Sequence, residues 1–324
     1  MAIKVVLVVV GLAMLAAGNA RAQTAGYPAK PIRFIVGFPP GGSTDVAARL
    51  IAPRLSARLG QPLVMDNRAG AGGNVGVDIV AKSAPDGYTI GFGVSGALAV
   101  NVALQPNLPY DPLRDVVPVM LAMINPLVLC ASTEAPVASV RELIGYAKQR
   151  PGRLNYATGG SGTAMHLSGA MLNLMAGIEL VHVAYKGNGA AATGLVGGQI
   201  SVAVVDLASS RSFIRAGRIR ALGVTSARRT QLAPEIPTIA ESGIPGFDVT
   251  SWFGVIAPAG TPADIVALLN SELIAVLSQP ELRERLAVAG LEPAPGTADD
   301  FGALIRAEID KYARLVKSSG IRIE

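Results

Sequence analysis

Ser161, His166 and Asp206 supply the residue types of a nucleophile, a base and an orienting acid, the set that acyl-transfer hydrolases use. The local spacing argues against that chemistry. A nucleophile elbow needs a glycine two residues after the serine, yet Thr163 stands there, and His166 follows Ser161 by only five residues. A second string, Gly91-Phe92-Gly93-Val94-Ser95-Gly96, matches the G-x-G-x-x-G of dinucleotide sites after a β-rich run. No clear helix pattern begins there, and no acidic residue closes a second strand about 20 positions later. The string, Ser95 included, is therefore read as a glycine-lined cleft wall. His182 lies in the strand-like Val181-His182-Val183, where a packed core or edge histidine is the ordinary reading. Two histidines and one cysteine disfavour the usual metal sites.

The remaining chemistry is binding by backbone. Phe38-Pro39-Pro40-Gly41-Gly42-Ser43-Thr44-Asp45 follows a strand-like run and opens a helical pattern. Its glycines let N–H groups approach a ligand, and the helix start adds unpaired donors with partial positive charge, a combination suited to an anion. Asp45, in the first turn, has two roles open to it, capping carboxylate or ligand contact; Ser43 and Thr44 serve equally well as the cap. Comparable loops are Asn67-Arg68-Ala69-Gly70-Ala71-Gly72-Gly73-Asn74, Thr158-Gly159-Gly160-Ser161-Gly162-Thr163 and Tyr185-Lys186-Gly187-Asn188. Any α/β protein needs glycine turns. Several on successive strand ends favour a shared cleft.

Those loops must be held by regular elements, and the chain alternates β-rich runs with helical patterns. Strands are expected at Ile32 to Gly37, Pro62 to Met65, Tyr88 to Gly93, Leu127 to Ala131, Leu154 to Ala157, Leu180 to Ala184, Ile200 to Val205, Ile219 to Val224 and Val249 to Ile256. Ser139 and Glu142 form a capping box, and Thr261-Pro262-Ala263-Asp264 opens another helix with proline in its first position. Two further helices open at Ser278 to Glu281 and Thr297 to Asp300, giving a last stretch of three helices without strands. Pro53, inside the helix expected from Thr44 to Leu59, predicts a kink or local break at Arg49 to Pro53. The alternation implies parallel sheets covered on both faces.

Composition limits what such a fold does. The 324 residues are 50% hydrophobic, 16% charged and 5% aromatic, with 37 glycines, which excludes disordered and coiled-coil classes. Two domains are expected at this length. Lys4, the apolar run Val5 to Ala17, and Ala20-Arg21-Ala22 read as a signal peptide cleaved after Ala22. Losing Lys4 and Arg21 with no acidic residue takes two from the net charge of +5, leaving +3. That is too little for nucleic-acid binding. Cys130, in an apolar run, reads as a small buried hydrophobe, and export with so little cysteine points to a periplasm.

Several segments in order carry a resemblance: Tyr27-Pro28-Ala29-Lys30-Pro31-Ile32-Arg33, Phe38-Pro39-Pro40-Gly41-Gly42, the Asn67 to Asn74 loop, Pro85-Asp86-Gly87-Tyr88-Thr89, Leu108-Pro109-Tyr110-Asp111-Pro112, His182-Val183-Ala184-Tyr185-Lys186-Gly187 and Ala257-Pro258-Ala259-Gly260-Thr261-Pro262. The mature chain thereby resembles the tripartite tricarboxylate transporter substrate-binding proteins, the Bug receptor family. The resemblance implies an α/β, two-lobed periplasmic binding protein of type II-like architecture, each lobe a mostly parallel sheet flanked by helices, with crossover hinge strands. It implies closure over a small carboxylate, delivery to the membrane subunits of a permease, and no cofactor or covalent chemistry; a monomer is expected. Carried over by residue, it assigns Pro39 to Asp45 (Pro39, Gly41, Gly42, Ser43, Asp45), Gly72, Gly73 and Asn74 to one side of the cleft. Thr158, Ser161, Gly162, Thr163 and His166 come from the other, bordered by Lys186 and Asp206. Lys186 is open to ligand contact or to a role as a solvated cation. Asp206, if it points inward, rejects a second carboxylate or selects an amino or hydroxyl group; otherwise it caps a helix or orients water. The lobes are expected at 23–124 with 250–324, and at 125–249. A ligand sensor and a serine hydrolase are the alternatives.

Overall fold

A computed structural model describes residues 26–319; the expected signal peptide, residues 1–22, lies outside the described residues. Glycine-terminated strands and capped helices alternate as the patterning requires. The elements run β1 (Ile32–Val36), α1 (Ser43–Leu59), β2 (Leu63–Asn67), α2 (Asn74–Ala81), β3 (Thr89–Val94), α3 (Asn101–Leu104), β4 (Val116–Asn125), β5 (Leu127–Ser132), α4 (Val140–Lys148), β6 (Leu154–Thr158), α5 (Ala164–Ala176) and β7 (Leu180–Ala184). Then follow α6 (Asn188–Val196), β8 (Val202–Asp206), α7 (Leu207–Arg215), β9 (Ile219–Val224), β10 (Ser251–Pro258), α8 (Ala263–Leu277), α9 (Pro280–Val288), β11 (Glu292–Pro293) and α10 (Ala298–Ser319).

The strands form two sheets, in orders β11-β4-β10-β3-β1-β2 and β7-β6-β8-β5-β9. Helices flank both, so the two-lobed α/β class holds. The expected parallel sheets do not: β1 pairs in parallel with β2 and β3, and β6 with β7 and β8, but β10 runs antiparallel to β3 and β4, and β5 antiparallel to β8 and β9. Each antiparallel pairing, that of β11 with β4 included, involves β4, β5 or β10, the strands at which the chain passes between sheets. β4 leads through Pro126 straight into β5, and β10 returns beside β4 with Ser251 opposite Asn125. On the other side of the passage Thr225 N–H donates to Leu127 O, and Val249 N–H donates to Thr225 O.

β4 itself is absent from the sequence reading, because Pro118 interrupts its apolar run. The proline is accommodated at an irregularity: Val255 pairs with Met120 while Ile256 pairs with Pro118, so Val119 bulges and the ladder loses no donor it needed. Pro53 is also milder than expected, since α1 is continuous from Ser43 to Leu59. Arg49 and Pro53 both lie on the exposed face, where water hydrates the carbonyl that proline leaves unbonded. Pro262 is the N-cap of α8, one position before the helix, and β11 separates α9 from α10. β11 is two residues long, too short for a periodic signal. Ser139 behaves as expected: its side chain accepts Glu142 N–H at 3.1 Å, and Glu142 reaches back to Ala138 N–H at 2.8 Å.

Under the first sheet, Phe34, Phe92 and Phe253 form an edge-to-face row with centroids 4.8 and 4.9 Å apart. α1 and α8 close over it through Ile51, Leu55, Leu269 and Leu273. Cys130 is fully buried in the second sheet among Val128, Ala203 and Val205, as its sequence context indicated. Among the described residues no single helix is long and apolar enough to cross a membrane.

Candidate functional site

Strand-to-helix junctions from both sheets meet at one cavity of about 300 Å³. Three helix starts stand in its wall. α1 begins after Gly42 and α6 after Gly187, neither with a side-chain cap, so their first-turn N–H groups keep no internal partner. α5 begins at Ala164 after Thr163, whose hydroxyl accepts His166 N–H at 3.3 Å. Lys186 is the one charged side chain in the wall among the described residues. Three positive helix ends and a lysine, with no carboxylate side chain in the wall among the described residues, give the cavity an electrostatic character suited to an anion.

The loops touch across the cavity. A Cβ on Gly72, whose φ is +64°, would come within 2.5 Å of Ser161 O. One on Gly96 would stand 2.8 Å from Gly162 O. Ser95 and Gly96 occupy the wall as expected, but a helix does start there: a π-turn over Gly96–Val100 runs into α3. The run Gly96-Ala97-Leu98-Ala99-Val100 is apolar on every side and wholly buried, so it lacks the amphipathic period by which helices are read.

Of the residues assigned to the cleft from sequence, Pro39, Gly41, Gly42, Ser43, Gly72, Ser95, Thr163 and Lys186 stand in the cavity wall. The others lie behind it. Asp45 is buried beneath the α1 start, where Oδ2 accepts Gly41 N–H at 2.9 Å and Arg49 Nε at 2.8 Å, and Oδ1 accepts Asn67 Nδ2 at 3.0 Å. Burial pushes this carboxyl up, yet the Arg49, Gly41 and Asn67 donors outweigh it and hold it below the usual carboxylate range. Asn74 accepts from Asn101 at 2.8 Å and Tyr110 at 3.0 Å, and Gly73 precedes it in a left-handed turn.

Thr158, Ser161, Gly162 and His166 form a support behind the α5 start. His182 Nε2 lies 2.7 Å from Thr158 Oγ1, His166 Nδ1 accepts Gly162 N–H at 3.3 Å, and Thr163 Oγ1 donates to Gly160 O at 2.8 Å. Burial holds both imidazoles down at about 4, with the neighbouring His182 adding to the effect on His166. Among the described residues Ser161, His166 and Asp206 make no hydrogen bond to one another. Asp206, wholly buried, caps α7 by accepting Ser209 N–H at 2.8 Å and takes the amides of Asn188 at 2.6 Å and Asn125 at 3.4 Å.

Asn125, Asn188, Ser251 and Phe253 stand in the wall without having been singled out. Asn188 closes a quoted glycine loop, and its place at a helix start was the available signal. Asn125 and Ser251 are brought in by the crossing strands, which nothing local announces.

Residues 47–321 match the model of the tripartite tricarboxylate transporter family receptor. The chain is 40% identical to Protein BugT of Bordetella pertussis over 320 residues, covering 98% of each. Among solved structures, R. palustris Rpa4515 with adipate is 39% identical with a TM-score of 0.87, covering 91% of this chain and 99% of that one. MatC (Rpa3494) from Rhodopseudomonas palustris with bound malate is 33% identical with a TM-score of 0.85, covering 90% of this chain and all of that one. Periplasmic binding protein BugD is 33% identical with a TM-score of 0.86. In sequence over nearly its whole length, and in fold, the chain belongs to the tripartite tricarboxylate transporter receptor family.

Proposed function

We propose that the chain is a periplasmic receptor that captures a small organic acid between two lobes, 23–124 with 250–324 and 125–249, and presents it to the membrane subunits of a tripartite tricarboxylate-type permease. One observation carries the reading: three helix starts and Lys186 converge on a cavity whose wall holds no carboxylate side chain among the described residues. Adipate in one relative and malate in another support a carboxylate as the anion. Loops that meet across the cavity support closure, since a ligand held by both sides favours the closed form by its differential affinity. The engagement of His166 and Asp206 in separate supporting bonds favours binding without turnover.

A thermal-shift panel of dicarboxylates, tricarboxylates, aromatic carboxylates and amino acids tests it. A ligand at 100 times its dissociation constant adds about 2.7 kcal/mol to the folded state. At least one acid is expected to raise Tm by several degrees. A neutral solute doing so while every acid fails would overturn the anion site.

A further inference from the structure

Two asparagines stand between Asp206 and the cavity. Asn125 and Asn188 line the wall, whereas Asp206 is wholly buried and lies outside it. Both amides give their NH₂ groups to one carboxylate oxygen: Asp206 Oδ2 accepts Asn188 Nδ2 at 2.6 Å and Asn125 Nδ2 at 3.4 Å. Oδ1 accepts Ser209 N–H at the α7 start, where the helix end adds partial positive charge. The charge of Asp206 is thus met within the protein. The amide oxygens do not replace it as acceptors, since Asn125 Oδ1 and Asn188 Oδ1 are themselves buried and the latter lies against Gly159. Asp45, the other carboxylate near the cavity, is occupied by Gly41 N–H, Arg49 and Asn67.

An ammonium group carries three N–H donors and a full charge, so it needs acceptors and a counter-charge. The wall offers the reverse. The helix starts and Lys186 are donors, and Phe38, Val94, Met165 and Phe253 are apolar. Ser43 Oγ already accepts the Asn125 amide at 3.3 Å, and Ser95 Oγ accepts Trp252 N–H at 3.5 Å, so each hydroxyl keeps its proton to donate. A cation enclosed by such groups is strongly disfavoured.

Building on the receptor reading, we propose that Asn125 and Asn188 mask Asp206 and thereby set the specificity of the cavity, which takes organic acids and rejects the same acids bearing an ammonium group. The selection works against the wrong ligand, by leaving its charge without a partner. The two amides are what separate a receptor for acids from one for amino acids, because the carboxylate that would pair with an ammonium lies directly behind them.

Calorimetric titration of the mature chain with two triplets tests the proposal: succinate, 2-methylsuccinate and aspartate, and 3-phenylpropanoate, 2-methyl-3-phenylpropanoate and phenylalanine. Within each triplet the carboxylates stay, and one hydrogen becomes a methyl or an ammonium of similar bulk. In a triplet whose parent binds, the amino acid is expected to bind about tenfold more weakly than the methyl acid, or weaker still. In Asn188→Ala, which uncovers Asp206 Oδ2, and in Asn125→Ala, that ratio is expected to fall severalfold. The ratio is internal to one protein, so a general loss of folding does not mimic the change. An amino acid that binds as tightly as its methyl counterpart or more tightly, or a ratio unchanged in both variants, overturns the masking and leaves the receptor standing. Failure of all six ligands, repeated across the wider panel, overturns the receptor reading and the masking with it.

Discussion

The imidazole rings of His166 and His182 lie face to face, their centroids 3.7 Å apart and their planes 11° from parallel. Tyr156 packs against them, its ring 5.0 Å from His182 and 6.5 Å from His166. One ring takes the Gly162 N–H and the other meets the Thr158 hydroxyl, so the pair fixes both ends of the glycine loop behind the α5 start. Two imidazolium ions stacked at this distance would repel, and burial of both rings favours the neutral forms.

Acid is therefore expected to destabilise the fold in a defined window. Both rings titrate near 4 when folded against an ordinary 6.5, so between those values the unfolded chain binds more protons. Stability then rises with pH from about 4 to 6.5 and is level above. Melting temperatures recorded from pH 4.5 to 7.5 should follow that curve, and His182→Phe, which keeps a ring but loses a titrating group, should flatten it. A curve unchanged by the substitution would exclude the pair as its cause. Asp45 acts lower on the scale: its depressed pKa adds stability that is lost as pH falls below the carboxylate range.

Gly96→Ala is expected to hinder closure rather than folding. Gly96 does not need a left-handed conformation, so alanine suits its backbone, but the added Cβ would stand 2.8 Å from Gly162 O and 3.2 Å from Thr163 Cα. Ligand affinity should fall by about tenfold or more, as one unmade fraction of the closed state requires, while urea unfolding without ligand stays near wild type. Unchanged affinity would mean that the loops need not meet for binding.

Asp45→Ala should weaken both stability and binding. The substitution strands Gly41 N–H, Arg49 and Asn67, all of which bond this buried carboxylate, and charged hydrogen bonds of this kind are worth roughly 1.5–3 kcal/mol each way of counting. Urea unfolding should register a loss of about 2 kcal/mol, and calorimetry a reduced affinity because Gly41 is no longer fixed at the α1 start. Lost stability with full affinity would separate the two roles.

Cys130 should be silent toward thiol reagents in the native protein. It is fully buried, and burial pushes its thiol up to about 12, leaving no reactive thiolate. Colourimetric titration is expected to find one thiol per chain only after denaturant is added; prompt native labelling would contradict the packing described.

Much of this architecture is legible from sequence because its signals are local. The Ser139 capping box, the glycine loops after β1 and β6, and the burial of Cys130 follow from neighbouring residues. What escaped was set at a distance. Pro118 looks like a strand breaker until the bulge beside it at Val119, visible only in the pairing with β10, is known, and the all-apolar Gly96–Val100 turn shows no period because every side of it is covered. Asp45 is legible as a first-turn residue, and capping is one of the roles the sequence leaves open for Asp206; what neither position reveals is that the side chains serve the wall from behind. The partner of Asp206 that matters, Asn125, lies 81 residues away and reaches it only because β4 crosses between sheets.

That crossing is made twice, side by side, and the two passages are tied at both ends, by Ser251 opposite Asn125 and by Thr225 between Leu127 and Val249. A single tether leaves two bodies free to swivel about it. A pair bonded at each end resists torsion and shear alike, and bending remains the soft direction. On the receptor reading proposed above, that one bending axis is what would return the same loops to the same partners at each closure.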